Sequence, residues 1–498
     1  MGLNTLDLVV VVAYLVGVTL FGLRFRGKQR TLKNYFLADN TIPWWAISLS
    51  IVAAETSTLT IISVPGLAYE KDFRFLQLII GYIAGRIIVS FVLIPQYFRG
   101  ELVTAYQLIE RRFGQKLRSL TAGLFLVTRA AAEGVRVFAV AIVVRVALAG
   151  VLTGLSDYGR DVAAIAIVTA LTLVYTFEGG MAAVIWTDVV QLAIYLAGTL
   201  VAVFAISHLV PGGWGTIRTF AGDAGKFRMF DTSWNLFSTY TLWSGVIGGA
   251  FLTTASHGTD QLIVQRLLSA RSERQAKMAL LSSGVAVFFQ FSLFLLIGAM
   301  LFVFYKLFPP LVAFTRTDTI FPTFVVSRLP HGVSGLLISA ILAAAMSNLS
   351  AALNSLSSTT IVDFYSQIAP QSTEERRVRL SRVATIGWGV LLFGLALLAR
   401  HGGKVLEMGL SITSVAYGSL LGVFLLGVLT RSASERGAMI GMTLGFVFNL
   451  YLWFFTGVPF TWYVVFGSIV TFLAGYSASW LISRTSAPQQ LVQPGQGR

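Results

Sequence analysis

The sequence predicts an all-α polytopic membrane protein with about thirteen transmembrane helices. Three observations carry this. The chain of 498 residues is 55% hydrophobic and only 12% charged, where a soluble protein would carry about 25% charge. Apolar stretches of roughly 20 residues, enough to cross a bilayer, recur along its whole length. The Lys and Arg residues gather in short connectors between those stretches, as the positive-inside rule describes.

Taken in order, apolar segments are expected near 5–23, 45–68, 73–97, 118–150, 162–177, 183–209, 240–264, 277–306, 332–362, 382–400, 406–430, 437–457 and 460–483. The first is read as a retained helix. Its leading end, Met1 to Asp7, has no basic residue, and the cluster Arg24, Arg26, Lys28, Arg30, Lys33 follows it. Most of the 37 Lys and Arg fall in the odd connectors. That bias places the N-terminus outside and the C-terminus in the cytoplasm, in a plasma (inner) membrane. Short amphipathic helices are expected within 97–118 and 306–331. The tail from Thr485 to Arg498 is rich in Pro, Gln and Gly and reads as disordered.

Several function classes are excluded. The net charge of +15 is scattered rather than gathered into one patch, so nucleic acid is not an expected partner; the lipid bilayer is. Cysteine is absent, which removes disulfides and thiol chemistry. No phosphate loop appears, so ATP does not drive the protein directly. Only four histidines exist, too few and too dispersed for a metalloenzyme. No enzyme chemistry is expected.

Two segments are broken by polar residues. One runs from Trp44 through Ala54-Glu55-Thr56-Ser57-Thr58 to Pro65-Gly66, the other from Gly245 through Thr253-Thr254-Ala255-Ser256-His257-Gly258-Thr259-Asp260-Gln261. Unwound backbone survives at membrane depth only when protein or a watery cavity surrounds it. Paired broken helices in two halves of a chain point to a central transport site. Candidate solute contacts are Glu55, Thr58, Arg136, Ser256, His257 and Gln261. Glu55 has three open roles: accepting from hydroxyls, pairing with a cationic solute, or being neutralised by Arg86 or Arg136.

The ninth segment places Ser347, Ser350/Ala351, Asn354 and Ser358 on one helical face. Such a stripe serves close helix packing or supplies oxygens to a hard cation. Asp188 is a membrane carboxylate with function or a helix cap. Arg129, Ala132, Glu133 and Arg136 share a face, where an internal ion-pair ladder accounts for Arg129.

At this point several motifs stand together. They are Asp39 to Pro65 with Val64-Pro65-Gly66-Leu67-Ala68-Tyr69; Thr104-Ala105-Tyr106 before Arg111-Arg112-Phe113-Gly114; Tyr175 to Gly180 before Trp186-Thr187-Asp188; Asp260 to Arg266; and Ala344 to Ser358. Their order over residues 5–480 resembles the sodium/solute symporter family, which includes sodium–glucose and sialic acid symporters. The resemblance implies a core of two inverted five-helix repeats, similar to the leucine-transporter fold. An extra helix and basic loop (1–40) would precede the ten-helix core (41–457), with an extra helix (458–484) and the tail (485–498) after it. It also implies co-transported sodium, held by the carbonyls of Ala53, Thr56 and Ala344 with Ser347 and position 348. Asn348 stands there in place of the usual hydroxyl. A second ion in some sialic acid symporters uses the aspartate matching Asp188 and three serines. The matches are Ser347, Ser350 and Ala351, which lacks the hydroxyl, so one sodium is expected. Where those symporters place an arginine for the carboxylate, this chain has Ala132, with Arg136 one turn on. The expected function is sodium-coupled symport of a small polar solute, a sugar or sugar acid first and a monocarboxylate or amino acid next. A passive channel and a solute sensor are the alternatives.

Overall fold

The computed structural model describes residues 3–24, 31–100, 102–147, 154–310, 313–314, 316–399 and 405–485. Arg26, Lys28, Arg30 and the tail from 486 lie outside the described residues. Helices stand at every expected position. They are α1 Thr5–Leu23, α2 Trp44–Glu55, α3 Thr58–Glu70, α4 Leu76–Ile88, α5 Gln115–Ala147, α6 Asp157–Leu209, α7 Gly249–Gly258, α8 Gln261–Leu268, α9 Glu273–Leu307, α10 Val333–Thr359, α11 Glu374–Ala399, α12 Val405–Leu429, α13 Glu435–Phe455 and α14 Tyr463–Thr485. Among the described residues, nine helical stretches are long and apolar enough to cross a membrane, and the bent pair α2–α3 brings ten. Short helices Tyr106–Arg112 and Ile320–Arg328 fall within the two connectors where they were expected, and a further one forms at Gly213–Asp223.

Local chemistry sets the ends. Asn4 and Asp7 form a capping box on α1. Asp7 also accepts from the backbone N–H of Gly332 (2.6 Å) and Gly335 (2.9 Å), which fastens α1 to the start of α10. α6 carries both the fifth and sixth expected segments and breaks at Gly180, where φ is +55°. A Cβ there would also stand 2.6 Å from the Tyr35 carbonyl oxygen, so conformation and contact both require glycine. α4 runs through a π-turn at Val89–Leu93 before its last turn, next to Pro95, which has no N–H to donate to the helix.

The core is helix on helix. α10 lies against α1, α5 and α6, while α2 packs on α6 and α9. α10 is buried nearly throughout. The broken helices sit around it. α2 and α3 meet at 62°, with Thr56 at φ −86°, ψ 88°. α7 and α8 part at Thr259, and Asp260 caps α8 by accepting from the Leu262 N–H at 2.8 Å. α4 approaches α7 closely: a Cβ on Gly85 would lie 2.5 Å from the Ala250 carbonyl oxygen.

Candidate functional site

The breaks release backbone. Thr56 N–H donates to the Val52 carbonyl, and Ser57 N–H turns to the Glu55 carbonyl at 3.2 Å. The Ala53 carbonyl therefore loses its helical partner, as at any helix end. Between the two breaks lies a cavity lined by polar and aromatic side chains, the kind of lining that orients a small organic solute. Glu55, Ser57 and Thr60 line it from α2–α3, Ser256, His257 and Asp260 from the second break, Arg129 and Arg136 from α5, and Phe75, Tyr82, Phe291 and Tyr417 from the packed neighbours.

Three charge networks lie at or near this space. In the first, Arg86 on α4 pairs with Glu55 and also donates to Ser283 Oγ (3.2 Å) and the Tyr82 carbonyl. Of the open roles for Glu55, the structure therefore shows pairing with Arg86. His257 Nε2 lies 3.6 Å from the same carboxylate, and His257 Nδ1 meets Ser256 Oγ at 2.9 Å.

In the second network, Glu133 bridges Arg129 and Arg136, both at 2.6 Å. Arg129 continues to Asp260 at 3.1 Å, and Tyr417 Oη donates to Asp260 at 2.5 Å. The expected ladder on α5 is present and reaches the second break. The Arg129 and Arg86 side chains are 5% and 1% exposed, but Arg136 is 20% exposed. Ala132 is buried and does not line the cavity.

The third network is built from residues that do not line the cavity. Asp188 accepts from Ser347 Oγ (2.6 Å), Ser50 Oγ (2.5 Å) and Arg266 (2.9 Å). It sits two turns past the break at Gly180, so the helix-cap reading fails and Asp188 is a buried carboxylate inside α6. The stripe on α10 divides by role. Asn354 and Ser358 bond to Gln265 of α8, which is packing, whereas Ser347 and Asn348 meet Asp188 and Glu133. Ser350 donates within its own helix, to the Ser347 carbonyl. The expected sodium ligands Ala53, Thr56, Ala344, Ser347 and Asn348 are all buried on two helices that pack together.

Two expected solute contacts do not line this cavity. The bend after Thr56 resets the helical phase, so Ser57 and Thr60 face the cavity and Thr58 borders a small separate void. Gln261 instead accepts from Ala105 N–H (2.8 Å) and donates to Val103 and Ser358, tying α8 to α10 and the Tyr106–Arg112 helix. Sequence reasoning also missed Arg266 as the partner of Asp188. An intramembrane arginine six residues after Asp260 was the available signal.

A helical core with two broken helices around a polar cavity defines a secondary transporter. The model of the sodium:solute symporter family matches residues 35–445, and the chain belongs to that family. It is 29% identical to the sodium/sialic acid symporter NanT of Aliivibrio fischeri, over 95% of this chain and 92% of that one. It is 30% identical to the sodium/sialic acid symporter SiaT of Proteus mirabilis, over 94% and 93%. A solved substrate-bound outward-open state of a Na⁺-coupled sialic acid symporter superposes with TM-score 0.85 at 28% identity, over 96% and 98%. The protein is thus a sodium-coupled symporter of a small polar solute, built on the inverted-repeat fold.

Proposed function

We propose that this symporter imports a sugar acid of the sialic acid class, and that Arg136 receives its carboxylate. The observation that carries this reading is the exposure of Arg136, greater than that of Arg86 and Arg129, the other two arginines beside the cavity. Glu55 is held by Arg86, which removes the main repulsion an anion would meet. Ser57, Thr60 and Ser256 offer hydroxyls to the sugar ring. The named relatives are sodium/sialic acid symporters, and Arg136 lies one turn along the helix from Ala132, the position where the family resemblance implies an arginine.

In this reading sodium binds first, to the carbonyls of Ala53, Thr56 and Ala344 with Ser347 and Asn348. Ion and solute together favour closure, and the shared site then opens to the other side. The N-terminus lies outside and the C-terminus in the cytoplasm of a plasma (inner) membrane. The core runs from 41 to 457, and the protein has no catalytic step.

The test is uptake of radiolabelled sialic acid, glucose, lactate and amino acids into proteoliposomes, with and without a sodium gradient. Sialic acid should accumulate only with inward sodium. Arg136→Gln should weaken it at least tenfold, the cost of one charge-assisted contact of about 1.5–3 kcal/mol, while neutral solutes are unaffected. Accumulation of glucose in place of sialic acid, or an unchanged Arg136→Gln, would overturn the proposal.

A further inference from the structure

Glu133 is fully buried, and both its oxygens are committed. Oε1 accepts from Arg129 and Arg136, and Oε2 accepts from Asn348 Nδ2 at 2.7 Å. A carboxylate only accepts, so Asn348 must turn its NH₂ toward Glu133, and its Oδ1 must point the other way. That Oδ1 is buried without a hydrogen-bond partner, which is costly for an amide unless a ligand supplies one. Asn348 borders a small void with Ser57, Thr58 and Arg136. Thr58 Oγ1, beside the same void, is also buried without a partner. Two residues with orphaned oxygens therefore line one space, which Ser57 at the first break also borders. Arg136 borders this void and the main cavity alike.

We infer that Asn348, Glu133 and Arg136 form a relay that couples the ion to the solute; this rests on the sodium and carboxylate sites proposed above. Sodium at Asn348 Oδ1 polarises the amide, so Nδ2–H binds Glu133 more tightly, since linked hydrogen bonds strengthen one another. The Glu133 charge is drawn toward Oε2. Oε1 then neutralises Arg136 less completely, and the guanidinium becomes a better partner for an anion in the cavity. The reverse has the same sign. A solute carboxylate that takes up Arg136 leaves Glu133 free to bind Asn348 more strongly. That raises electron density on Oδ1 and tightens sodium, as reciprocity of coupling demands. A serine at 348 keeps an oxygen for the ion but is too short to reach Glu133, so it severs the relay and spares the ligand. Asn348 ligates the ion and Arg136 touches the solute; Glu133, which acts through both, is the positioning residue.

The experiment measures ²²Na⁺ affinity on the purified full chain and, separately, the change in sialic acid affinity on adding saturating sodium. In the unmodified protein sodium should tighten sialic acid by roughly fivefold or more, the usual lower bound for allosteric coupling. Asn348→Ser should still bind sodium, yet the coupling factor should fall below about twofold. Asn348→Thr serves the same purpose if the serine variant does not fold. Glu133→Gln should weaken sodium severalfold in the unmodified background and leave it nearly unchanged in Asn348→Ala. Coupling retained in Asn348→Ser overturns the relay. So does a Glu133→Gln effect of equal size with and without the Asn348 amide, which would be bare electrostatics. If the protein binds ²²Na⁺ but not sialic acid, the solute reading fails, and the sodium-only cycle between Glu133 and Asn348 still decides the relay.

Discussion

Ser347→Ala separates the ion site from helix packing. In the structure Ser347 Oγ donates to Asp188 Oδ1 at 2.6 Å, deep in α10. Its proton is spent there, which leaves the oxygen lone pairs to face a cation. Two losses follow from the substitution. Asp188 loses one charged hydrogen bond, typically about 1.5–3 kcal/mol. It keeps Ser50 and Arg266, so the stability cost should fall at the low end of that range. The cation loses one oxygen ligand, an ion–dipole contact of similar size, which corresponds to roughly 10- to 150-fold in sodium affinity. Both the packing and the ligand readings lower thermal stability, because both lose the bond to Asp188. Only the ligand reading moves the sodium dependence. The assay is therefore the sodium concentration for half-maximal uptake in proteoliposomes, measured beside a melting curve. Ser347→Thr keeps the oxygen and should keep sodium activation. Unchanged sodium activation in folded Ser347→Ala would remove this residue from the site.

Glu55→Gln should leave Arg86 buried with a weakened partner and cost about 3 kcal/mol, the low end for breaking a buried pair; adding Arg86→Gln should recover part of it in thermal melts. Solute preference should change little, and a switch in preference would mean that Glu55 contacts solute directly. One sodium per cycle is expected because Ala351 offers no hydroxyl and Asp188 is already satisfied by Ser50, Ser347 and Arg266. A tenfold sodium gradient, about 1.4 kcal/mol, should then hold a monoanion at no more than about tenfold accumulation, whatever the membrane potential; accumulation near a hundredfold would mean two ions. In the connector between α6 and α7, hydrogen bonds from Ser233 and the ion pair with Arg74 at 2.8 Å hold the Asp231 carboxyl down to about 2. A lowered folded pKa gives stabilisation that is present above the ordinary carboxyl value and lost as pH falls through the lowered one. Amide protection of this connector should persist to about pH 4 and disappear toward pH 2, and Arg74→Ala should move the loss upward; an unchanged midpoint would show that Arg74 is not the clamp.

Much of this protein was legible in one dimension. Hydrocarbon allows a backbone to cross only as helix or closed barrel, so apolar length alone placed the helices. The same constraint marked Glu55 to Ser57 and His257 to Asp260 as places where a cavity must exist. Charge pairing along one helix is local, so Arg129–Glu133–Arg136 was readable from three- and four-residue spacing. What the sequence could not decide was phase and partnership across helices. The 62° bend at Thr56 turned Ser57 and Thr60 inward and Thr58 away. Gln261 went to Ala105 and Ser358 rather than to the cavity. Asp188 found Arg266, 78 positions away, and Asn348 found Glu133 across 215. Side chains that far apart in the chain meet only because tertiary packing has buried them, and a buried charge takes whichever partner the packed helices bring within reach.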